Sequence, residues 1–415
     1  MNSYDVIVAG AGPAGSMAAR LLAERGVRVL LLDKQRFPRD KPCGGGVTLR
    51  AAALQDVDLS PVIERTVHGA RFTLRLGESF DRRFERPLSY MTQRSRLDAH
   101  LAERAAEAGA EFHDGAALRE VAAAWNGTPP REQTIRTDRD AYTARVLIGA
   151  DGANGLVGRS LGLRTEYEEA VALEGNVPYA PDIPEDWRDV VGLDLGGMAG
   201  GYGWVFPKGD HLNVGVGAWK YAGFTLRPKL VALSRRYGFA ESSVENLRGH
   251  HLPVRVPGSP VARGGVALVG DAAGLVDPLS GEGIHMAFAS ARLAADETLR
   301  VLSGEAADMS GYEAAVDREL QTELTVSRRL QEIFTFAPPP YLAIMRRSDL
   351  FWRFFCHLIR GELTYLDFVR MIGPLRLAVD FFASVAQRRR LGRVRSGLRL
   401  MSARAAGAAA DRQVA

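Results

Sequence analysis

Hydrophobic and polar positions at the start of the chain predict a strand, a helix and a second strand. Residues 4–9 form a short apolar run, which is typical of a strand buried on both faces. A helical pattern follows over residues 13–24, and Gly26 stands where glycine commonly ends a helix. Residues 27–33 form a second apolar run. This alternation of strands and helices indicates an α/β domain with a parallel sheet.

Farther along the chain the pattern divides into regions of different period. Short β-type runs fill residues 66–92 and 166–250, and they predict an inserted antiparallel sheet that forms a substrate domain. Helical patterns fill residues 303–387, with an apolar stripe over residues 351–359. Such a stripe is a packing face, a cap over a cavity or a surface that rests on lipid. The other predicted parts are a discontinuous α/β domain of residues 1–65, 93–165 and 251–302, and a basic tail of residues 388–415.

A glycine-rich turn, G-A-G-P-A-G, joins the first predicted strand to the helix. Gly10 permits the tight turn, Gly12 lets the backbone approach a pyrophosphate, and Gly15 lets the helix pack against the sheet. Asp33 ends the second strand 18 residues after Gly15, and its carboxylate can accept hydrogen bonds from a ribose diol. With phosphates at the helix N-terminus, this arrangement predicts a Rossmann-type dinucleotide site, although the turn alone does not distinguish FAD from NAD.

Three later motifs select the cofactor. Arg94 lies near the start of a predicted helix, one strand ends in Asp151-Gly152, and another is followed by Gly270-Asp271 and a glycine-rich loop. In this order the motifs resemble the flavin-monooxygenase fold group, which includes aromatic hydroxylases, flavin-dependent halogenases and geranylgeranyl reductases. The resemblance implies that Asp271 binds the ribityl chain of FAD, that Arg94 lies near the phosphates and ribose, and that Asp151 orders the pyrophosphate region.

The chain departs from the flavin-monooxygenase pattern at Gly155, and it has a glycine-containing loop at residues 281–284. Gly155 stands where the group commonly has a serine, and we expect this to weaken the contacts that support Asp151. The loop of residues 281–284 opens a helix, whose N–H groups and dipole would stabilise negative charge on a reduced flavin. The residues that we assign to the cofactor are Gly10, Gly12, Pro13, Ala14, Gly15, Asp33, Lys34, Lys41, Cys43, Gly44, Gly45, Arg94, Asp151, Gly270, Asp271, Pro278, Gly281, Gly283 and Ile284.

Two further segments resemble the geranylgeranyl reductase family. Residues 38–46, PRDKPCGGG, resemble its PxxKxCGG segment, and residues 202–208, YGWVFPK, resemble its YxWxFPK segment. The loop that follows Gly270 also resembles the form found in that family. Lys41 and Lys208, two of only five lysines in the chain, fall within these segments. Within these segments Cys43, Tyr202 and Trp204 are the candidate catalytic residues, and Cys43, Tyr202 or a bound water would be the proton donor.

Cys43 and the aromatic residues each have two interpretations. Cys43 is either a small buried apolar residue or a thiol that faces the flavin as a proton source. Tyr202 and Trp204 share a strand face with Phe206, where they either wall an apolar cavity or pack in a core. On the return strand, alternate glycines such as Gly215 leave space for another backbone or a ligand.

The positive charge of the chain is concentrated in the C-terminal tail. The net charge is +4, whereas residues 388–415 contain eight arginines and one aspartate, a net +7, which leaves −3 for the rest. The tail is either solvated or docked on an anionic membrane surface, and the body has no basic stripe for nucleic acid. Two cysteines fit a reducing compartment, and neither a signal peptide nor a long apolar span is visible. We expect a cytoplasmic protein, with peripheral contact at the inner membrane surface through the tail as an open alternative.

Together these features favour an FAD-dependent reductase. It would saturate C=C bonds of a geranylgeranyl-type prenyl lipid or a prenyl quinone by hydride transfer from reduced flavin. No second dinucleotide fingerprint marks a site for the electron donor, so NADPH and reduced ferredoxin both stay open. No metal site is expected, because His250 and His251 lack a nearby ligand pattern. The alternatives are a flavin monooxygenase of aromatic or polyketide substrates and a non-catalytic prenyl-lipid-binding flavoprotein. A halogenase is disfavoured because its paired-tryptophan WxWxIP segment is not matched.

Overall fold

The computed structural model describes residues 2–122, 132–163, 167–179, 185–371, 373 and 380–390 of the 415-residue chain. In chain order the described strands are β1 (Asn2–Ala9), β2 (Val29–Leu32), β3 (Gly46–Thr48), β4 (Arg65–Val67), β5 (Gly69–Leu74), β6 (Ser79–Arg83), β7 (Ser89–Met91), β8 (Glu111–His113), β9 (Leu118–Ala122), β10 (Gln133–Thr137), β11 (Ala141–Gly149), β12 (Tyr167–Pro178), β13 (Val190–Met198), β14 (Gly201–Pro207), β15 (His211–Trp219), β16 (Glu245–Arg255), β17 (Ala262–Arg263) and β18 (Val266–Leu268).

The helices lie mainly between the early strands and at the C-terminal end. The described α-helices are α1 (Pro13–Ala23), α2 (Leu49–Ala52), α3 (Arg94–Glu107), α4 (Val157–Ser160), α5 (Leu226–Arg236), α6 (Ile284–Ser303), α7 (Ser310–Ala315), α8 (Thr322–Phe336), α9 (Pro338–Arg347), α10 (Asp349–Arg360) and α11 (Tyr365–Met371). A π-helical segment, Val316–Gln321, joins α7 to α8, and residues 380–390 are helical. In the part of the chain described here, no helix is long and apolar enough to cross a membrane.

The first sheet has a parallel core that supports the glycine-rich turn. Its strand order is β17-β18-β11-β1-β2-β8, and β10 and β9 extend it beside β11. The pairs of β1 with β2 and with β11 are parallel, and α1 packs against both α3 and α6. Helices therefore cover the sheet, which explains why every residue of β2 is buried. The predicted strand–helix–strand unit and the α/β class are confirmed; the first helix ends at Ala23, one residue before the predicted end.

A second sheet of seven strands is built from the region predicted to be rich in β structure. Its order is β16-β12-β15-β14-β13-β5-β6, and its neighbours are antiparallel except for β5 and β13. A smaller sheet of three strands has the order β3-β7-β4, and its first strand begins at Gly46, where the loop of residues 39–46 ends. The residue boundaries that the sequence analysis draws between domains stay a prediction. The basic tail lies outside the described residues from residue 391 onward.

The C-terminal helices pack on the second sheet through an aromatic face. Trp352 of α10 is 3% exposed and meets the Phe72 ring edge-on, with 6.1 Å between ring centroids. Its Nε1 donates to the Arg83 carbonyl oxygen at 2.7 Å. Leu350, two residues earlier, is 82% exposed. The apolar stripe predicted over residues 351–359 is thus in part a packing face.

Removing the Trp352 side chain tests how strongly these helices are held. Because Trp352→Ala loses a buried ring and a hydrogen bond, we expect it to lower the free energy of unfolding by about 3–5 kcal/mol. Leu350→Ala on the same helix changes an exposed side chain and should stay within about 0.5 kcal/mol of the parent. Denaturant unfolding of both variants measures the difference; equal, small effects would show that α10 is not anchored through Trp352.

Candidate FAD and substrate site

A single large cavity brings together the motifs that the sequence analysis singled out. Its volume is about 1050 Å³, and it runs from the glycine-rich turn past the loop of residues 39–46 to the C-terminal helices. Of the residues predicted for the cofactor or for catalysis, all except Gly15 border it. A Cβ atom on Gly15 would overlap the Gly10 carbonyl oxygen, so Gly15 serves the close approach of helix and turn.

The phosphate end of the cavity is open at the backbone and is bordered by two arginines, Arg39 and Arg94. A Cβ atom on Gly12 would meet nothing nearer than Arg39 Nη2 at 3.7 Å and Arg94 Nη2 at 3.9 Å. Both guanidinium groups donate to the buried Asp98 carboxylate, each at 2.7 Å. Burial disfavours the Arg94 cation, but Asp98 outweighs this effect and holds the pKa of Arg94 above its usual range. Two fixed cations beside an open glycine turn suit a pyrophosphate.

Asp33 and Asp151 place carboxylates on either side of this end. Asp33 Oδ2 accepts from the Ala11 amide at 3.0 Å, at the position predicted for a ribose contact. Asp151 Oδ2 accepts from the Leu156 amide at 2.5 Å and the Val157 amide at 2.9 Å. Asp151 Oδ1 is buried at the cavity and has no hydrogen-bond partner among the described residues.

Gly155 does not have the effect that the sequence analysis expects. A Cβ atom at this position would overlap the Asp151 carboxylate, because that carboxylate folds back onto the backbone of Leu156 and Val157. A serine would therefore displace Asp151, and glycine is what allows its backbone contacts. The expected weakening of those contacts is wrong.

Asp271 is another carboxylate that borders the cavity, and two basic side chains lie beside it. Lys41 Nζ donates to Asp271 Oδ2 at 2.9 Å, and His250 Nε2 lies 3.5 Å from the same oxygen. Burial would raise the pKa of Asp271, but Lys41 and His250 outweigh it and hold that pKa well below its usual range. Gly283 and Ile284 border the cavity where α6 begins, so the positive end of the helix dipole faces it.

These groups together fit FAD. The open backbone at Gly12 leaves room for phosphates, and Arg39 and Arg94 lie beside it. Asp151 Oδ1, which has no partner among the described residues, can accept a hydrogen bond from a hydroxyl group of the cofactor. Sequence reasoning missed Arg39, although it stands in the PRDKPCGGG segment. No spacing rule in the sequence points to Arg39. Only the fold shows that its guanidinium group lies beside the glycine-rich turn.

The loop that carries Cys43 is held against the aromatic row of β14. A Cβ atom on Gly44 would lie 2.9 Å from the Phe206 ring and 3.3 Å from Trp204 Nε1, so only glycine fits there. Lys208, 2% exposed, donates from Nζ to the Gly44 carbonyl oxygen and, at 3.0 Å, to the Thr92 carbonyl oxygen. The loop is therefore held by a hydrogen bond to its backbone and by the aromatic rings that pack against Gly44.

The space left by glycine on β15 has a different occupant from the expected one. A Cβ atom on Gly215 would overlap the indole ring of Trp204. The indole Nε1 donates to Asn213 Oδ1 at 2.8 Å, which fixes the ring across the strand. The Trp204 ring fills the space beside Gly215, so the expectation is corrected at that position. Gly217 borders the cavity, and a Cβ atom there would meet nothing nearer than 3.8 Å, so space for a ligand beside Gly217 stays a prediction. Tyr202, from the same row, donates its hydroxyl hydrogen to the Ser280 carbonyl oxygen.

Beyond the aromatic row the cavity is mainly apolar. Its wall in this part comes from β5, β13 and α8–α11, and no described cavity-lining residue of these elements is charged, although Gln331 and Thr335 of α8 are polar. Several side chains of α10 line the cavity, so the helices also cap it, as one interpretation expects. The larger apolar and aromatic side chains of this part are Phe72, Leu193, Leu195, Met198, Leu330, Phe334, Tyr341, Leu342, Met345, Phe351, Trp352, Phe354, Phe355, Leu358, Ile359, Tyr365 and Phe368.

The fold and the cavity define an FAD-dependent oxidoreductase. A family model described as an FAD binding domain matches residues 3–191. The geranylgeranyl diphosphate reductase of Rhodobacter capsulatus is 33% identical over 348 residues, which cover 79% of this chain and 84% of the relative. The menaquinone reductase of Mycolicibacterium smegmatis is 33% identical over 362 residues, with coverage of 82% and 86%. The chain belongs to the geranylgeranyl reductase family.

Solved structures agree with this assignment. The geranylgeranyl bacteriochlorophyll reductase-like protein of Thermoplasma acidophilum superposes with a TM-score of 0.72 at 28% identity and covers 81% of this chain and 89% of its own. The flavin-dependent brominase Bmp2 superposes with a TM-score of 0.68 over 87% of this chain and 94% of its own. At 19% identity the brominase shows a shared fold alone.

A pair of glycine substitutions separates the cofactor site from the fold. Gly12→Ala meets no atom nearer than 3.7 Å, so we expect it to fold normally but to bind FAD roughly tenfold or more weakly, because the methyl group occupies the phosphate approach. Gly15→Ala overlaps the Gly10 carbonyl and should lower the unfolding temperature even without FAD. Flavin absorbance after gel filtration and thermal unfolding measure both effects. Full FAD retention by Gly12→Ala would contradict this placement of the phosphates.

Proposed function

We propose that the protein reduces isolated C=C bonds of a prenyl lipid, either a geranylgeranyl lipid or a prenyl quinone. The observation that carries the proposal is the uncharged limb of the cavity, which leads from the Cys43 loop between β13 and α10. A wall of aliphatic and aromatic side chains stabilises a long apolar chain by burial. The names of the relatives from Rhodobacter and Mycolicibacterium support this class of substrate.

The residues of the turn would hold the cofactor at the polar end. Asp33 would accept from the adenosine ribose, Arg39 and Arg94 would neutralise the pyrophosphate, and Asp271 with Lys41 would hold the ribityl chain. FAD, when bound and reduced, supplies the hydride that adds to one alkene carbon. The chain itself contributes alignment of the alkene and exclusion of water from the apolar limb.

Among the three candidate catalytic residues, Cys43 is best placed to give a proton. The Tyr202 hydroxyl hydrogen is directed to the Ser280 carbonyl, and burial raises the pKa of Tyr202 above its usual range. The Trp204 indole hydrogen is directed to Asn213. Cys43 borders the cavity with its thiol beside the Gly45 amide, which donates to Sγ at 3.4 Å. We therefore propose that Cys43 transfers the proton and that Tyr202 and Trp204 form part of the cavity wall.

The electron donor and membrane contact are finer parts of the proposal. NADPH or reduced ferredoxin would reduce the flavin from outside, since the sequence has no second dinucleotide fingerprint. In the tail, Arg390 Nε lies 2.6 Å from Glu332 and Arg390 Nη2 lies 3.0 Å from Glu168. Arg390 is thus engaged by the body of the protein, and the proposed contact with an anionic membrane surface would fall to residues beyond it.

The direct test is oxidation of the reduced enzyme by substrate without oxygen. We expect geranylgeranyl diphosphate or a prenyl quinone to reoxidise the anaerobically reduced enzyme, with a product two hydrogens heavier for each bond reduced. Absorbance follows the flavin, and mass spectrometry identifies the product. A hydroxylated product that forms only with oxygen, or no hydrogenated product from either lipid class, would contradict the proposal.

Variants of the two cysteines sharpen this test. Cys43→Ala removes the proton source at the cavity, so reoxidation by lipid should slow by on the order of 10²-fold while FAD is retained. Cys356 is the other cysteine, and it is buried in α10 away from the loop. Cys356→Ala is the control and should keep the parent rate. Equal loss of FAD and of turnover in Cys43→Ala would instead indicate a packing role.

A further inference from the structure

A second, small polar pocket lies behind the Cys43 loop. Its volume is about 40 Å³, which is enough for a water molecule. Lys208, Asn176 and Asn213 border this pocket and not the large cavity, whereas Cys43 and Glu174 border both. Glu174 therefore lies in the wall between a polar pocket of water size and the cavity where the alkene would bind.

The Glu174 carboxylate is attached to the Cys43 loop. It lies on β12, directly opposite Gly215 of β15 and Arg248 of β16 in the sheet register. The side chain is 8% exposed, and its Oε1 accepts from the Cys43 amide at 2.6 Å. The carboxyl thus contacts the same residue that carries the thiol, since the amide nitrogen and Sγ of a cysteine are three bonds apart. A single water can bridge polar groups across a gap of that order.

The lining of the small pocket includes an exposed ion pair. Arg248 Nη1 lies 2.7 Å from Asp40 Oδ2, and the two side chains are 44% and 56% exposed. Both residues border the small pocket as well as the large cavity. Water that enters beside this pair can exchange protons with bulk solvent, which the apolar limb on the other side of the loop does not permit.

We infer that Glu174 supplies the proton consumed at the alkene, acting through the Cys43 thiol and recharged from the small pocket. The inference rests on the proposed alkene reduction. One alkene carbon would take the hydride that reduced FAD supplies when bound, and the other would take the proton of the Cys43 S–H bond as that bond breaks. The sulfur takes the Glu174 carboxyl proton, and the carboxylate regains a proton from water. Each double bond thus consumes one hydride and one solvent proton.

The charges around Glu174 suit this role at neutral pH. Burial raises the pKa of Glu174 to about 7, and the negative charge of Asp40 adds to the rise, against the Cys43 amide, Lys208 and Arg94. Burial lowers the pKa of Lys208 to about 8, so this neighbour stays mainly cationic where Glu174 titrates. The acid form of Glu174 is abundant below pH 7 and is lost above it, so proton supply should fail as the pH rises.

The kinetic experiment compares two glutamates of one strand. Glu174→Gln keeps an oxygen that can accept from the Cys43 amide but has no acidic proton. Glu169→Gln alters a residue of the same strand that pairs with the exposed Lys220. Stopped-flow reoxidation of the anaerobically reduced, FAD-loaded enzyme by geranylgeranyl diphosphate is measured on both sides of pH 7.

We expect the parent and Glu169→Gln to react at a constant rate below pH 7 and to slow about tenfold per pH unit above it. Glu174→Gln should be slower by on the order of 10²-fold and insensitive to pH in this range, while it retains FAD. Asp40→Asn removes a charge that raises the pKa of Glu174, so its break in rate should move to lower pH. A Glu174→Gln enzyme with the parent rate and the parent pH profile would overturn the inference.

An infrared titration tests Glu174 without turnover. The carboxylic acid C=O band of the parent protein should contain a component that disappears near pH 7, and the Glu174→Gln spectrum should lack it. No carboxyl group titrating near neutrality would overturn the inference. A parent enzyme that shows this band but is not reoxidised by any prenyl lipid would instead contradict the proposed function.

Discussion

The site depends on one buried cation. Lys208 comes from the second sheet, and its ammonium group donates to the Gly44 and Thr92 carbonyl oxygens on the nucleotide-binding side of the molecule. A buried ammonium group is costly unless its hydrogens are bonded, so these two carbonyls must stay in place while Lys208 is inside. Cys43 precedes Gly44 in the chain, so this contact also fixes its position between the polar and apolar parts of the cavity. The two motifs that resemble the geranylgeranyl reductase segments are thus two halves of one contact.

Glycine and aromatic residues complete that contact through shape. The Gly44 backbone rests on the Phe206 ring, and the Trp204 ring rests where Gly215 has no side chain. The Trp204 N–H group is directed to Asn213, so the ring presents no free N–H group to the apolar limb. The small polar pocket, with Lys208, Asn176 and Asn213 in its lining, lies on the other side of the loop. Dryness on one side and proton access on the other are what a reduction of an unactivated alkene requires from its protein.

Local chain pattern was enough to predict the α/β class and the residues that gather at the cavity. Glycines in a turn and an acidic residue at a strand end act within one short segment, so their spacing reveals them. Glu174 and Cys43 are 131 residues apart in sequence, and a lone glutamate in a β-type run has no spacing that marks it. Arg39 and Gly155 were missed or misjudged for the related reason that their effects arise from where a neighbouring side chain folds back. Such pairings are properties of the tertiary structure.

The apolar limb is proposed to hold a prenyl chain beside the flavin. Mass spectrometry of small molecules extracted from the purified protein should therefore recover an isoprenoid lipid or its hydrogenated form. Leu342→Trp narrows the limb between the sheet and the C-terminal helices, so it should displace that lipid. Recovery of a short polar aromatic compound in its place, held equally well by the narrowed variant, would show that the limb does not bind a prenyl chain.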